Sequence, residues 1–188
     1  MMAIEGGDIQ VLQYLLQCGA SPMQGNANGL LPIHRAVLVN SRLLLAFLLL
    51  EAGVSVDTRD AKGATALTWA SYKKNSELVS FLLKEGAHPL ASDNGGRIAL
   101  HWAAVNGDLQ TIDALLDHGQ IIEQLSAKCL RGLTPEQYAR KAKNVQVMNH
   151  LSMYRDMHNN FWVSIPSSYS PSRLSLLGPG ATGAHTRH

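Results

Sequence analysis

A double leucine followed by a glycine recurs along this chain at nearly constant phase. Leu15-Leu16 leads to Gly19, Leu49-Leu50 to Gly53, Leu82-Leu83 to Gly86 and Leu115-Leu116 to Gly119. The glycines are 34, 33 and 33 residues apart. A unit of that length holds two short helices and a turn. It cannot bury an apolar face alone, so neighbouring units must stack and share one core.

Two further phases agree with the first. Ala3, Ala36, Ala70, Ala103 and Ala139 are spaced by 33, 34, 33 and 36 residues, and Gly29, Gly63, Gly96 and Gly132 form a third series. Asn26, Asp60 and Asp93 stand three residues before the first three of those turn glycines. Such side chains bond their own backbone two residues on, which predicts a tight turn. Pro32 and Pro135 suit a first helical turn, where the missing N–H costs nothing. The alanines allow two helices to approach closely. Shortly after them, Asp8, Ser41, Ser76 and Asp108 are predicted to cap a second helix. That helix then carries aliphatic residues at helical spacing, as in Ile9, Leu12, Leu15 and Leu16, and ends at Gly19, Gly53, Gly86 or Gly119.

The segments Pro32-Ile33-His34-Arg35-Ala36, Ala66-Leu67-Thr68-Trp69-Ala70, Ala99-Leu100-His101-Trp102-Ala103 and Pro135-Glu136-Gln137-Tyr138-Ala139 resemble the Thr-Pro-Leu-His-x-Ala element of ankyrin repeats. The resemblance implies an all-α solenoid of helix–turn–helix units with β-turn fingers, about four repeats plus a partial first unit. The solenoid is predicted over residues 1–155. A Ser/Pro/Gly-rich tail, predicted to be disordered, follows over 156–188. Within it, Phe161-Trp162-Val163 could fold back onto the last helix pair. Met1-Met2-Ala3 enters the pattern in mid-helix, so the first unit lacks its finger and turn glycine. A longer natural protein or a truncated gene product is the corresponding expectation.

Composition excludes several function classes. Sixteen basic and fourteen acidic residues leave a net charge of +2, which gives no reason to invoke nucleic acid or an acidic membrane. Cys18 and Cys129 form no framework and no CxxC, so reduced thiols and a cytoplasmic setting are expected. The longest apolar run, Leu43 to Leu50, has eight residues, against about 20 for a membrane span. The sequence has no phosphate loop, no Gly-x-Ser-x-Gly and no His-Glu-x-x-His. No catalytic residue, metal site or cofactor is therefore assigned, and the chain is read as a non-enzyme.

The expected activity is protein binding through the concave surface. Trp69 and Trp102 occupy the same register in adjacent units and either fill gaps between helices or contact a partner. Arg35 and Tyr138 take that register in the flanking units. Tyr72 and Lys73 end a first helix near the same face. These six are the candidate contacts for a protein partner, in the narrower form an extended peptide segment. His34 and His101 are read as structural, each bonding the backbone of a neighbouring finger; Thr68 and Gln137 replace them elsewhere. Asp57, Arg59, Asp60 and Lys62 form one finger tip, either solvated or paired with a partner.

A narrower resemblance rests on Ala66-Leu67-Thr68-Trp69-Ala70-Ser71-Tyr72, Ile98-Ala99-Leu100-His101-Trp102-Ala103-Ala104 and Gly132-Leu133-Thr134-Pro135-Glu136-Gln137-Tyr138-Ala139, with Lys143-Asn144-Val145 and Met148-Asn149-His150-Leu151. In that order they resemble the ankyrin half of the ankyrin-bearing protein palmitoyltransferases. There the repeats precede transmembrane helices and a cysteine-rich Asp-His-His-Cys domain, and they recruit substrates by short extended segments. This chain has no Asp-His-His-Cys and too few cysteines for that zinc-binding region. The resemblance implies a substrate-recruiting fragment at the cytosolic face of an endomembrane such as the Golgi.

Overall fold

The structure is a computed structural model that describes the backbone of residues 9–163 and the side chains of residues 9–158. Ten helices and no strand lie among the described residues: α1 (Ile9–Gln17), α2 (Pro32–Leu38), α3 (Arg42–Leu50), α4 (Ala66–Tyr72), α5 (Ser76–Lys84), α6 (Ala99–Asn106), α7 (Leu109–Asp117), α8 (Ile121–Ser126), α9 (Pro135–Lys141) and α10 (Val145–Val163). The short helices α2, α4, α6 and α9 pack side by side as one layer. The longer α3, α5, α7 and α10 form a second layer behind them. Ala3, Asp8 and the tail from residue 164 lie outside the described residues, as do the side chains of Phe161, Trp162 and Val163. Helix α10 itself continues past Arg155 to Val163.

The core is continuous because each unit closes the next. Ile33, Leu44, Leu48, Leu67, Leu82, Leu100, Ile112 and Leu115 are all buried, and the alanines at 36, 70, 103 and 139 are fully inaccessible. A larger side chain at any of the four would force the two layers apart.

The second-helix caps repeat in position, with two corrections to the sequence reading. Ser41 Oγ accepts from the Leu44 N–H, whereas Asp108 stands at the cap of α7 without a side-chain bond to the helix backbone, its carboxylate accepting from the Thr111 hydroxyl instead. The α5 cap is Asn75, whose Oδ1 accepts from the Leu78 N–H at 2.9 Å; Ser76 is the first helical residue. Asn75 lies five residues after Ala70, in phase with Ser41 after Ala36. Its amide also donates to Asn40 Oδ1 in the preceding unit. The residue before each cap is left-handed: Asn40, Lys74, Gly107 and Lys143 have φ of 55°, 58°, 77° and 57°. A lysine there carries the Cβ cost of that conformation. Lys74→Gly is expected to raise stability by about 1 kcal/mol, since Gly107 already shows glycine accepted one unit on. An unfolding midpoint in urea that is unchanged or lower would contradict this.

The fingers are joined edge to edge. Asn94 N–H donates to the Lys62 carbonyl at 2.9 Å, Leu130 N–H to Gly95 at 3.0 Å, and Ala61 N–H to Gly29 at 3.3 Å. This contact is close. A Cβ on Gly63 would lie 2.3 Å from Asn94 Oδ1 and 2.9 Å from its backbone nitrogen. At the array's end, the same atom on Gly132 would meet nothing within 4 Å.

One element departs from the repeat. Gly132 follows Gly119 by thirteen positions where the other units have an interval of ten, and the insertion folds as α8. Gln124 of α8 is fully buried and its Nε2 donates to the Leu115 and Gly119 carbonyls, at 2.9 and 2.8 Å. It thereby satisfies carbonyls at the end of α7 that would otherwise be orphaned. On the far side of α7, Asp113 accepts from His150 Nε2 at 2.5 Å and from the Tyr154 hydroxyl at 3.1 Å. Burial and the Asp113 carboxylate push the Tyr154 hydroxyl up to about 12.

Candidate functional site

Each finger is built on the side chain at its Asx position. Asp60 Oδ1 accepts from the Lys62 and Ala64 N–H groups, both at 2.8 Å. Asp93 Oδ1 accepts from Gly95 at 2.8 Å and Arg97 at 3.0 Å, and Asn26 Oδ1 from Asn28 and Leu30 at 3.0 Å each. In the last unit Cys129 holds the position. Its thiol is buried, which pushes its pKa up. Donation from the Tyr138 hydroxyl and the Leu133 and Arg131 N–H groups, with the Arg131 charge, outweighs burial and the net direction is down.

The histidines tie each helix start to the following finger. His34 Nδ1 accepts from the Leu31 N–H and Nε2 lies 3.1 Å from the Thr58 carbonyl. His101 Nδ1 accepts from Ile98, and Nε2 lies 3.0 Å from the Leu133 carbonyl. An acceptor at Nδ1 and a carbonyl at Nε2 require the neutral Nε2–H tautomer. Both rings are inaccessible, and burial holds both below the ordinary 6.5. Gln137 reproduces the Nδ1 half of this arrangement, accepting from the Thr134 N–H at 3.0 Å. At the other replaced position, the Thr68 hydroxyl lies 3.2 Å from that of Thr65.

In the angle between the second and third complete fingers and the first-helix layer lies a cavity of about 290 Å³. Its aromatic wall is Trp69, Tyr72 and Trp102. Tyr72 stands edge-on between the two indoles, with centroids 5.9 Å from Trp69 and 5.4 Å from Trp102. The three rings therefore brace one another in edge-to-face pairs while Tyr72 stays 45% exposed. The fingers contribute Lys62, Asp93 and Arg97 to the lining.

The indoles are held from behind. Trp69 Nε1 donates to Asp60 Oδ2 at 2.9 Å. One unit later Arg97 takes the equivalent oxygen: its Nε and Nη2 each lie 2.8 Å from Asp93 Oδ2, and its guanidinium sits 4.3 Å above the Trp102 ring.

Of the six sequence candidates, the structure brings Trp69, Tyr72 and Trp102 together in one cavity. Arg35 is half-buried on α2, one unit away, and Lys73 caps α4 with its side chain exposed outside the cavity wall. Tyr138 is half-buried behind His101, with ring centroids 5.2 Å apart. Sequence reasoning missed Arg97 as part of this wall. Its signal was an arginine where the preceding unit has Ala64. The finger tip also differs from its reading as free charge. Asp57 accepts from the His88 N–H at 3.1 Å, Arg59 donates to the Gly63 and Ser92 carbonyls, and Asp60 is buried; Lys62 alone of the four is exposed toward the cavity. Among the described residues no group of three or more His, Cys, Asp or Glu could hold a metal ion, and no helix is long and apolar enough to cross a membrane.

Comparison with known proteins places this geometry in context. A model of three consecutive ankyrin repeats matches residues 1–93, and a single-repeat model matches residues 95–125. The chain is 33% identical over 124 residues to palmitoyltransferase AKR1 of Lachancea kluyveri, covering 64% of this chain and 17% of that protein. It is 32% identical over 157 residues to human inversin, covering 81% and 15% respectively. With human transient receptor potential cation channel subfamily A member 1 it shares 32% over 118 residues, 63% of this chain and 10% of the channel. The chain thus spans between a tenth and about a sixth of the length of these relatives.

Proposed function

The chain belongs to the ankyrin repeat family, and from that premise we propose that it binds an extended segment of a protein partner across the aromatic cavity between its fingers and first helices. The observation that carries this reading is the pairing of Trp69, Tyr72 and Trp102 around one opening. Three mutually braced rings offer rigid apolar area at little entropic cost. Arg35, Lys73 and Tyr138 would extend the contact along the row or support it from behind. The array over residues 1–155 would act as the binding unit, with residues 156–188 as a separate tail, in a cytoplasmic setting.

A selection from a random peptide library tests it. Peptides enriched on the folded chain are expected to bind Trp69→Ala/Trp102→Ala at least about 100-fold more weakly, because two aromatic anchors that line the cavity are lost. Circular dichroism and the unfolding midpoint establish that the variant is folded. Enriched peptides that bind the folded double variant unchanged would overturn the assignment.

A second reading is favoured by the similarity to palmitoyltransferase AKR1. Here the same cavity recruits substrates for protein S-acylation at the cytosolic face of an endomembrane such as the Golgi, with catalysis carried elsewhere. An antibody against the central repeats, applied to fractionated source cells, separates the two. A membrane-bound band much larger than this chain supports recruitment for acyl transfer; a soluble band of this chain's own size contradicts it.

A further inference from the structure

Two consecutive units solve one problem differently. Asp60 and Asp93 are 33 residues apart, as are Trp69 and Trp102, and so are Ala64 and Arg97. In the first of these units the outer carboxylate oxygen of Asp60 receives the Trp69 indole N–H. In the second, the corresponding oxygen of Asp93 is occupied by Arg97, and the Trp102 Nε1–H is buried without a hydrogen-bond partner. A buried donor left unmatched in this way calls for an explanation. Trp102 stands in the register from which Trp69 reaches Asp60, and Arg97 holds the corresponding oxygen of Asp93 instead.

The two donors differ in what they can reach. The Asp93 carboxylate is 3% exposed, whereas the Arg97 side chain is 34% exposed and borders the cavity. Lys62, the other cation on this wall, is exposed as well. Two cations thus face the opening, while the one carboxylate in the wall is buried beneath them. That balance is complementary to an acidic ligand.

We propose that Arg97 is an exchange arm that recognises a carboxylate on the bound segment. An aspartate or glutamate beside the apolar side chain in the cavity draws Arg97 off Asp93. The Trp102 indole then donates to Asp93 Oδ2, as Trp69 already does to Asp60. The exchange leaves no buried group unmatched, because the indole takes over the oxygen that the guanidinium vacates. The partner is accordingly a peptide segment with an acidic residue next to an apolar one. This inference rests on the reading of the cavity as the binding site.

The first test needs no ligand. In protein labelled with ¹⁵N-indole tryptophan, the Trp102 N–H resonance is assigned by its loss in Trp102→Ala. In Arg97→Ala it is expected to move downfield toward the carboxylate-bonded resonance of Trp69. A Trp102 resonance that stays in place in this variant overturns the exchange. The second test uses peptides selected on the wild-type chain. Amide replacement of their acidic residue (Asp→Asn or Glu→Gln) is expected to weaken binding about five- to tenfold for wild type and not for Arg97→Ala. Peptides lacking an acidic residue, or indifferent to its replacement, overturn the proposal. So does a requirement for phosphoserine that aspartate cannot meet. If the peptides need Trp69 and Trp102 but not the charge, this inference fails while the cavity reading stands. If they ignore both tryptophans, the cavity reading itself fails.

Discussion

Gly63→Ala is expected to destabilise the array by about 3 kcal/mol, whereas Gly132→Ala is expected to cost about 1–2 kcal/mol. The two glycines have nearly the same backbone, with φ of 73° and 71°. Both substitutions therefore carry the left-handed penalty of an added Cβ. They differ in what the Cβ meets. At Gly63 it falls 2.3 Å from Asn94 Oδ1 and 2.9 Å from the Asn94 nitrogen, whose N–H bonds the Lys62 carbonyl. The side-chain oxygen can swing away, but the backbone nitrogen cannot without parting two fingers. At Gly132 no neighbour stands within 4 Å. Urea unfolding of both variants checks the difference. Equal losses would mean that finger-to-finger approach contributes nothing beyond backbone strain.

His101→Ala is expected to cost about 3 kcal/mol, because it orphans the Ile98 N–H and the Leu133 carbonyl and leaves a void against Tyr138. Glutamine should recover much of the loss, since Gln137 performs half of the same task in the last unit. The histidines also set a pH dependence with a definite sign. Burial holds His34 and His101 below the 6.5 of the unfolded chain. Above 6.5 both states are neutral and the full stability is present. As pH falls below 6.5 the unfolded chain takes up protons that the folded chain refuses, so stability declines until the lowered folded values are reached. His34→Gln/His101→Gln is expected to flatten that decline. An unfolding free energy with the same slope in both proteins between pH 6.5 and 5 would contradict this origin.

Much of this fold can be read from spacing because a stacked array repeats its constraints. The turn glycines, the alanines and the helix-end glycines each answer one steric demand made again in every unit, so their phases survive in the sequence. The cap at Asn75 followed the same phase and was obscured only by the neighbouring Ser76, another good capping residue. The insertion that folds as α8 was visible as a 36-residue interval between Ala103 and Ala139. Its helical form was not visible, because it depends on Gln124 finding the Leu115 and Gly119 carbonyls.

The site was legible only in part. The register of Trp69 and Trp102 placed both on one layer, and Tyr72 on the same helix came with them. Spacing does not show that Tyr138, the next member of the row, stands against His101 with its hydroxyl on Cys129. Nor does spacing reveal that Arg97, and not Trp102, holds Asp93 Oδ2. That outcome rests on the reach and charge of one side chain, which a repeat pattern does not encode.

The most direct test of the binding account is an indole N–H spectrum of the labelled chain, titrated with a peptide enriched by selection. The Trp69 and Trp102 resonances, assigned by the single alanine variants, are expected to shift together and saturate at one stoichiometric equivalent. A peptide that binds by an independent measure while both resonances stay fixed would place the binding surface elsewhere on the array.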